Sequence, residues 1–200
     1  MLNKTDVLVK KPGWLSPTRD RLSAKDKNML RLAVINEDDN VLQIPCENGT
    51  LLTHIAGKYR CRINGATNDY NQMRSTHAMN PDINIVYCGR NEIPWRDNSF
   101  SVLFSGLPFT DITDAAKLFN EAMRVLKAGG QFICLLPVKP ALYKQAIYST
   151  PNNVSMAVRT LLTRHEAMAA MSEAGFQSVS WHMRGLFNAI TVGWKKVLES

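Results

Sequence analysis

Between Val41 and Thr50 the chain reads VLQIPCENGT: an apolar run, a short polar loop with one acid and one glycine, then the start of a helix. An apolar strand feeding such a loop is where α/β proteins hold anionic or nucleotide-like ligands, because backbone groups and a helix amino terminus converge there. The acid is Glu47 and the glycine Gly49, with Gln43 and Pro45 ahead of them. Three further stretches, GATND, CGRNEI and FSGL, follow later apolar runs. Asp111 and His165 are the proton-transfer candidates, each also suited to a helix cap or first turn. Cys46, Cys61, Cys88 and Cys134 are widely spaced without a CxxC, and the four histidines lack ligand spacing. Four buried, reduced thiols are therefore expected, and no metal site.

The elements that must position these residues follow from the hydrophobic pattern. Ser23 and Asp26 form a variant capping box for a helix reaching about Ile35. Strands are expected at Val41–Ile44, Cys61–Ala66, Ile83–Cys88, Phe100–Phe104 and Gln131–Val138. Helices are expected from Thr50 to Tyr59, and from a cap at Asp69 to about Asn80. The best-marked helix carries Ala115, Leu118, Phe119, Ala122 and Leu126 on one face, Lys127 in its last turn and Gly129 as its stop. Thr163 and Glu166 open another helix, ending at Gly175, before two strands, FQSVSWHM and NAITVGWKK. Alternating β and α segments closed by a hairpin give a Rossmann-like, doubly wound, mainly parallel seven-stranded sheet with helices on both faces. In such a sheet the four stretches above meet at the carboxyl ends of the strands, where the strand order reverses.

Length and composition agree with one α/β unit. Two hundred residues, 45% of them hydrophobic, enclose one sizeable core; residues 23–200 are read as that core and 1–22 as a basic, irregular lead-in containing KPGWLSPT. The formal net charge is +7, and residues 1–31 hold eight Lys/Arg against three Asp, a net +5. Such an arm attracts nucleic acid or an anionic ligand, or is simply a solvated face; with no aromatic platform beyond Trp14, the solvated face is the better reading. No run approaches the roughly 20 apolar residues of a membrane span, and MLNKTDVLVKK lacks the apolar block of a signal peptide, so a cytoplasmic location is expected.

Two passages carry a resemblance. IPWRDNSFSVLFSG and NEAMRVLKAGGQFICLLP resemble the "LPF-x-D-x-SFD" stretch and the "E-x-x-RVLKPGG" turn of class I S-adenosylmethionine (SAM)-dependent methyltransferases, in the group that includes small-molecule and quinone methyltransferases. The likeness spans residues 23 to 197. It implies SAM as cofactor and a small molecule as methyl acceptor. The cofactor motifs, however, are degenerate. On the family pattern D-x-G-x-G-x-G this chain has Gln43, Pro45, Glu47 and Gly49; the acid that holds the ribose falls on Thr67; the "G-D-A" after strand three falls on Cys88, Gly89 and Arg90. At about 1.5 to 3 kcal/mol per charged hydrogen bond, losing two or three of them weakens binding by orders of magnitude unless others replace them. Glu47 either meets the cofactor's ammonium or sulfonium, or caps the following helix, the more ordinary role.

Two functions are thus set against each other. One is a methyltransferase, for which the resemblance implies that Gln43, Pro45, Glu47, Gly49, Thr67 and Asn68 border SAM, that Asn91, Glu92 and Ile93 lie near its adenine, and that Ser105, Gly106 and Leu107 border the methyl donor. The other is a catalytically silent methyltransferase fold acting as a protein partner, with an interface around Trp14, Leu15, Trp181 or Phe187. Residues Lys139 to Leu162, with Tyr143, Tyr148 and Met156, fall where this family carries substrate-facing insertions.

Overall fold

The computed structural model describes residues 22–89, 92–106, 112–139, 161–185 and 188–197. The elements in chain order are α1 (Ala24–Leu30), β1 (Asn40–Ile44), α2 (Thr50–Tyr59), β2 (Arg62–Thr67), α3 (Tyr70–Met79), β3 (Asn84–Tyr87) and β4 (Phe100–Ser105). They continue with α4 (Ile112–Val125), β5 (Leu126–Pro137), α5 (Arg164–Glu173), β6 (Phe176–Met183) and β7 (Asn188–Lys195). The seven strands form one sheet in the order β3-β2-β1-β4-β5-β7-β6. Pairings from β3 through to β5 are parallel, and β7 runs antiparallel to both β5 and β6. The expected Rossmann-like sheet with a terminal hairpin is therefore the fold.

The central strands carry apolar side chains on both sides because both faces are covered. Leu42, Ile44, Leu103, Phe132 and Cys134 join one cluster with Ala115, Leu118, Phe119 and Ala122 of α4 and Ala167, Ala170 and Met171 of α5. Val41, Val102, Phe104 and Ile133 join the other with Met29 of α1 and Leu51, Leu52 and Ile55 of α2. Trp181 is half-buried against the first cluster; Trp14, Leu15, Phe187, Tyr143, Tyr148 and Met156 lie outside the described residues.

Local signals set most element starts. The Ser23 side chain accepts from the Asp26 amide, Asp69 accepts from Asn71 and Gln72, and Thr163 and Glu166 form a reciprocal capping box. Two helix ends differ from the sequence expectation. α1 stops at Leu30 rather than near Ile35 because Gln131 of β5 grips the following segment: its amide nitrogen donates to the Leu32 carbonyl (2.8 Å) and its oxygen accepts from the Val34 amide (2.9 Å). α4 stops at Val125, so Leu126, Lys127 and Gly129 belong to β5. There the last helical carbonyls are taken by other partners. Asn98 and Ser99 amides bond to Arg124 and Val125 carbonyls, and the Lys195 ammonium donates to Met123 and Leu126 carbonyls (2.9 and 2.7 Å).

Candidate functional site

The strand order reverses at β1, which has β2 on one side and β4 on the other. The carboxyl ends of these three strands form the candidate site. Gln43 pairs in register with Gly65 and Phe104, Ile44 with Ser105, and the Gly106 amide extends the ladder by donating to the Ile44 carbonyl at 3.2 Å. Of the buried polar atoms at these ends, Gln43 Oε1 has no hydrogen-bond partner among the described residues, and Ser105 Oγ has only the neighbouring Cys134 thiol. Leaving an atom such as Gln43 Oε1 unpaired costs about 1–3 kcal/mol, so its presence where a ligand would sit is informative. The Cys134 thiol, next to Ser105 across the β4–β5 ladder, is raised well above its ordinary range by complete burial. Among the described residues, a Cβ built at Gly106 would meet only the Lys25 ammonium, at 4.0 Å.

The loop from Pro45 to Gly49 is held by its backbone and by packing. The Cys46 amide donates to the Ala66 carbonyl, and its buried side chain lies against Gly65, where a Cβ would approach Sγ to 2.6 Å. Burial first, then the charge of Glu47, push the Cys46 thiol up to about 12, with the Gly49 amide acting in the opposite direction. Gly49 is the N-cap of α2 at φ +76°, a conformation that favours glycine. Glu47 does not cap that helix, contrary to the sequence expectation. Its carboxylate pairs with Lys25 of α1, its carbonyl accepts from Thr76 Oγ1 at 2.8 Å, and Asn48 Oδ1 accepts from the Thr50 amide instead. Lys25 was not singled out by the sequence. It is one of eight basic residues near the amino terminus and only the fold brings it to the loop.

At the end of β2, Thr67 is buried and its hydroxyl is already engaged, donating to Gln72 Oε1 (2.9 Å) and accepting from the Asp69 amide (3.2 Å). Asn68 beside it is exposed, and Asp69 caps α3. Beyond β3, Glu92 folds back over Gly89: a Cβ at position 89 would lie 3.2 Å from Glu92 Oε2. A carboxylate thus stands beside the position at which the resembled pattern carries an aspartate, delivered from three residues further along. Ile93 is buried in the α4–α5 cluster, its amide donating to Glu121 Oε2 (3.0 Å) and its carbonyl accepting from Arg124 (2.8 Å). The structure therefore brings Gln43, Ser105 and Gly106 together at the ends of β1 and β4, places Pro45, Glu47 and Gly49 in the loop that follows β1, and sets Thr67 and Asn68 at the end of β2 and Glu92 and Ile93 beyond β3. Asn91, Leu107 and Asp111 fall outside the described residues, and His165 is exposed in the first turn of α5.

The family model described as "Methyltransferase domain" matches residues 42–134. A curated relative from Brucella canis, the ubiquinone/menaquinone biosynthesis C-methyltransferase UbiE, is 30% identical over 135 residues, covering 57% of this chain and 50% of the relative. The chain spans about half the length of the curated relatives it matches. Among solved structures, the geranyl diphosphate C-methyltransferase of Streptomyces coelicolor, in complex with Mg2+, geranyl diphosphate and S-adenosyl-L-homocysteine, superposes with a TM-score of 0.66. It is 14% identical, covering 87% of this chain and 79% of that one. The cyclase SpnF gives a TM-score of 0.72 at 13% identity, covering 86% and 80%. At such identities the structures speak for the fold, and a methyltransferase and a cyclase share it. Matched segment, motif passages and sheet order agree in their likeness: residues 42–134 are similar to the methyltransferase domain, on a sheet with the strand order of the class I SAM-dependent methyltransferase fold.

Proposed function

We propose that this chain binds SAM at the β1–β4 crevice and transfers its methyl group to a small-molecule acceptor. The observation that carries the reading is Gln43 Oε1, buried without a partner among the described residues at the end of β1, beside Ser105 Oγ at the end of β4, whose one partner there is the Cys134 thiol. Gln43 would accept from the cofactor's amino-acid end, and Ser105 with the Gly106 backbone would border it. At the other end of the site Glu92 supports the reading, because its carboxylate, folded over Gly89, offers an acceptor for an adenine amine. Thr67 contributes shape rather than charge there, its hydroxyl being spent on Gln72.

SAM supplies a methyl group already activated by its sulfonium. In-line displacement then requires mainly that the two reactants be held in alignment, and a base only for some acceptors. The residues at the strand ends serve that alignment through a rigid backbone: the Gly106–Ile44 hydrogen bond and the Cys46–Ala66 bond fix both lips of the crevice. The relatives named for ubiquinone and menaquinone biosynthesis suggest a small, largely apolar acceptor.

Calorimetric titration of the purified chain with SAM and with S-adenosylhomocysteine tests the cofactor assignment. Micromolar binding of both is expected. No heat of binding at millimolar ligand would overturn the reading and return the silent partner-subunit fold in its place.

A further inference from the structure

We propose that Lys25 and Glu47 together read the zwitterionic amino-acid end of the cofactor, Glu47 accepting from its ammonium and Lys25 donating to its carboxylate; this rests on the SAM-site reading above. The two side chains form an ion pair that links α1 to the β1–α2 loop. The Lys25 ammonium also stands 4.0 Å from the Cβ position of Gly106, at the end of β4. The pair therefore sits at the mouth formed by the two strands where the sheet order reverses.

Charge complementarity decides the ligand class. An isolated carboxylate at this mouth would favour any cation and an isolated ammonium any anion, but a closely spaced pair of opposite charges matches a group that carries both. Without ligand each charge neutralises the other. With a zwitterion, each exchanges one partner for an equivalent one, so no charge is left uncompensated. Opening the pair costs little, because both side chains remain in contact with water, at 29% and 48% relative exposure.

Preorganisation supports the same assignment. The Glu47 backbone is pinned through its carbonyl by Thr76, and its carboxylate is not used to cap α2. A purely structural role as a tether for α1 is already served elsewhere, by Met29 in the core and by the Gln131 grip on Leu32 and Val34. Glu47 also occupies a position at which the family pattern has glycine. The carboxylate is thus an addition of this chain, and Lys25 is what makes it compatible with a ligand that carries a carboxylate of its own.

The test compares S-adenosylhomocysteine with 5′-methylthioadenosine, which keeps the adenosine and sulfur but lacks the amino-acid end. Both are titrated calorimetrically into the wild-type chain, Lys25→Met and Glu47→Gln, with thermal melts to confirm that each variant is folded. The wild type is expected to bind S-adenosylhomocysteine the more tightly. Each variant is expected to lose about tenfold or more on that ligand and less than twofold on methylthioadenosine. Unchanged affinity for S-adenosylhomocysteine in both folded variants, or equal losses on the two ligands, would reduce the pair to a helix tether and overturn the proposal. Failure of the wild type to bind either ligand would overturn the SAM-site reading as well, so the two failures are distinguishable.

Discussion

Gly49 and Ile83 touch so closely that a Cβ added at position 49 would lie 2.6 Å from Ile83 Cδ1, with Thr76 Cγ2 next at 3.0 Å. The glycine is also at φ +76°. The last glycine of the β1–α2 loop is therefore required twice, by conformation and by the packing of α3 and of Ile83, just ahead of β3.

Gly49→Ala should accordingly destabilise the fold by about 2–4 kcal/mol, combining left-handed backbone strain with overpacking. Ile83→Val removes the atom responsible for the nearest contact and costs about 0.5–1.5 kcal/mol alone. The double variant should then be more stable than the sum of the singles predicts, by at least about 0.5 kcal/mol, as measured by urea unfolding. Strict additivity would show that the loop moves away from Ile83 when a side chain is added.

Arg124 gathers the segment that ends in β4. Its guanidinium donates to the carbonyls of Ile93 and Trp95 (both 2.8 Å), to Asp97 (2.8 Å) and twice to Glu121 (2.7 and 2.8 Å). A lysine cannot reproduce this planar, forked set of donors. Arg124→Lys should cost about 1–3 kcal/mol, read as a lowered urea midpoint with unchanged slope. It should also increase hydrogen exchange at the Ile93 amide, which relies on Glu121. A variant with wild-type protection there would place the anchor of this segment elsewhere.

What was legible in the sequence was local. The Ser23, Asp69 and Thr163 caps, and the strands from β1 to β7, are encoded within a few residues of where they act, so pattern and capping chemistry located them. The two helix ends that moved are set from afar: Gln131 acts on Leu32 across 99 positions, and Lys195 on Met123 across 72. The site divides in the same way. That the β1–α2 loop and the β4 end would meet followed from the βα order, but the partner of Glu47 did not, because Lys25 is 22 residues away and joins it only through the packing of α1. The Glu92 carboxylate over Gly89 was equally hidden, since nothing in CGRNEI tells which way its side chain folds.

Acid should weaken the fold through two carboxylates. Arg124 hydrogen bonds, with help from the Ile93 amide, hold Glu121 below its ordinary value, and the Thr163 amide and hydroxyl do the same for Glu166. A folded-state pKa below the unfolded one means that the folded chain binds fewer protons. The stabilisation is then complete above about pH 4.5, the unfolded value, and is lost as pH falls through the folded values. The urea midpoint should be level from pH 7 to about 5.5 and then decline. Glu121→Gln should be less stable than wild type at pH 7, with the gap closing toward pH 3. A constant gap across that range would mean that the Glu121 charge contributes nothing.

The thiols should weaken the fold in alkali. All four cysteines are free and buried, and burial raises each above its ordinary value of 9.0, Cys46 to about 12. Here the folded chain retains protons that the unfolded chain releases. The contribution is thus fully present below pH 9 and is lost as pH rises above it, opposite in sign to the carboxylates. Lys195 works against this trend, because burial lowers its pKa and deprotonation relieves the cost. The informative comparison is therefore between wild type and Cys46→Ala over pH 8 to 10.5. The variant should start less stable, since a buried side chain is truncated, and should lose less per pH unit above 9. Iodoacetamide at pH 8 should label four cysteines in urea but leave Cys46 and Cys134 unmodified in the folded chain, as intact mass and peptide mapping would reveal. Rapid labelling of Cys46 without urea would show that the β1–α2 loop opens on its own, and that the crevice lip is far less rigid than the Cys46–Ala66 hydrogen bond implies.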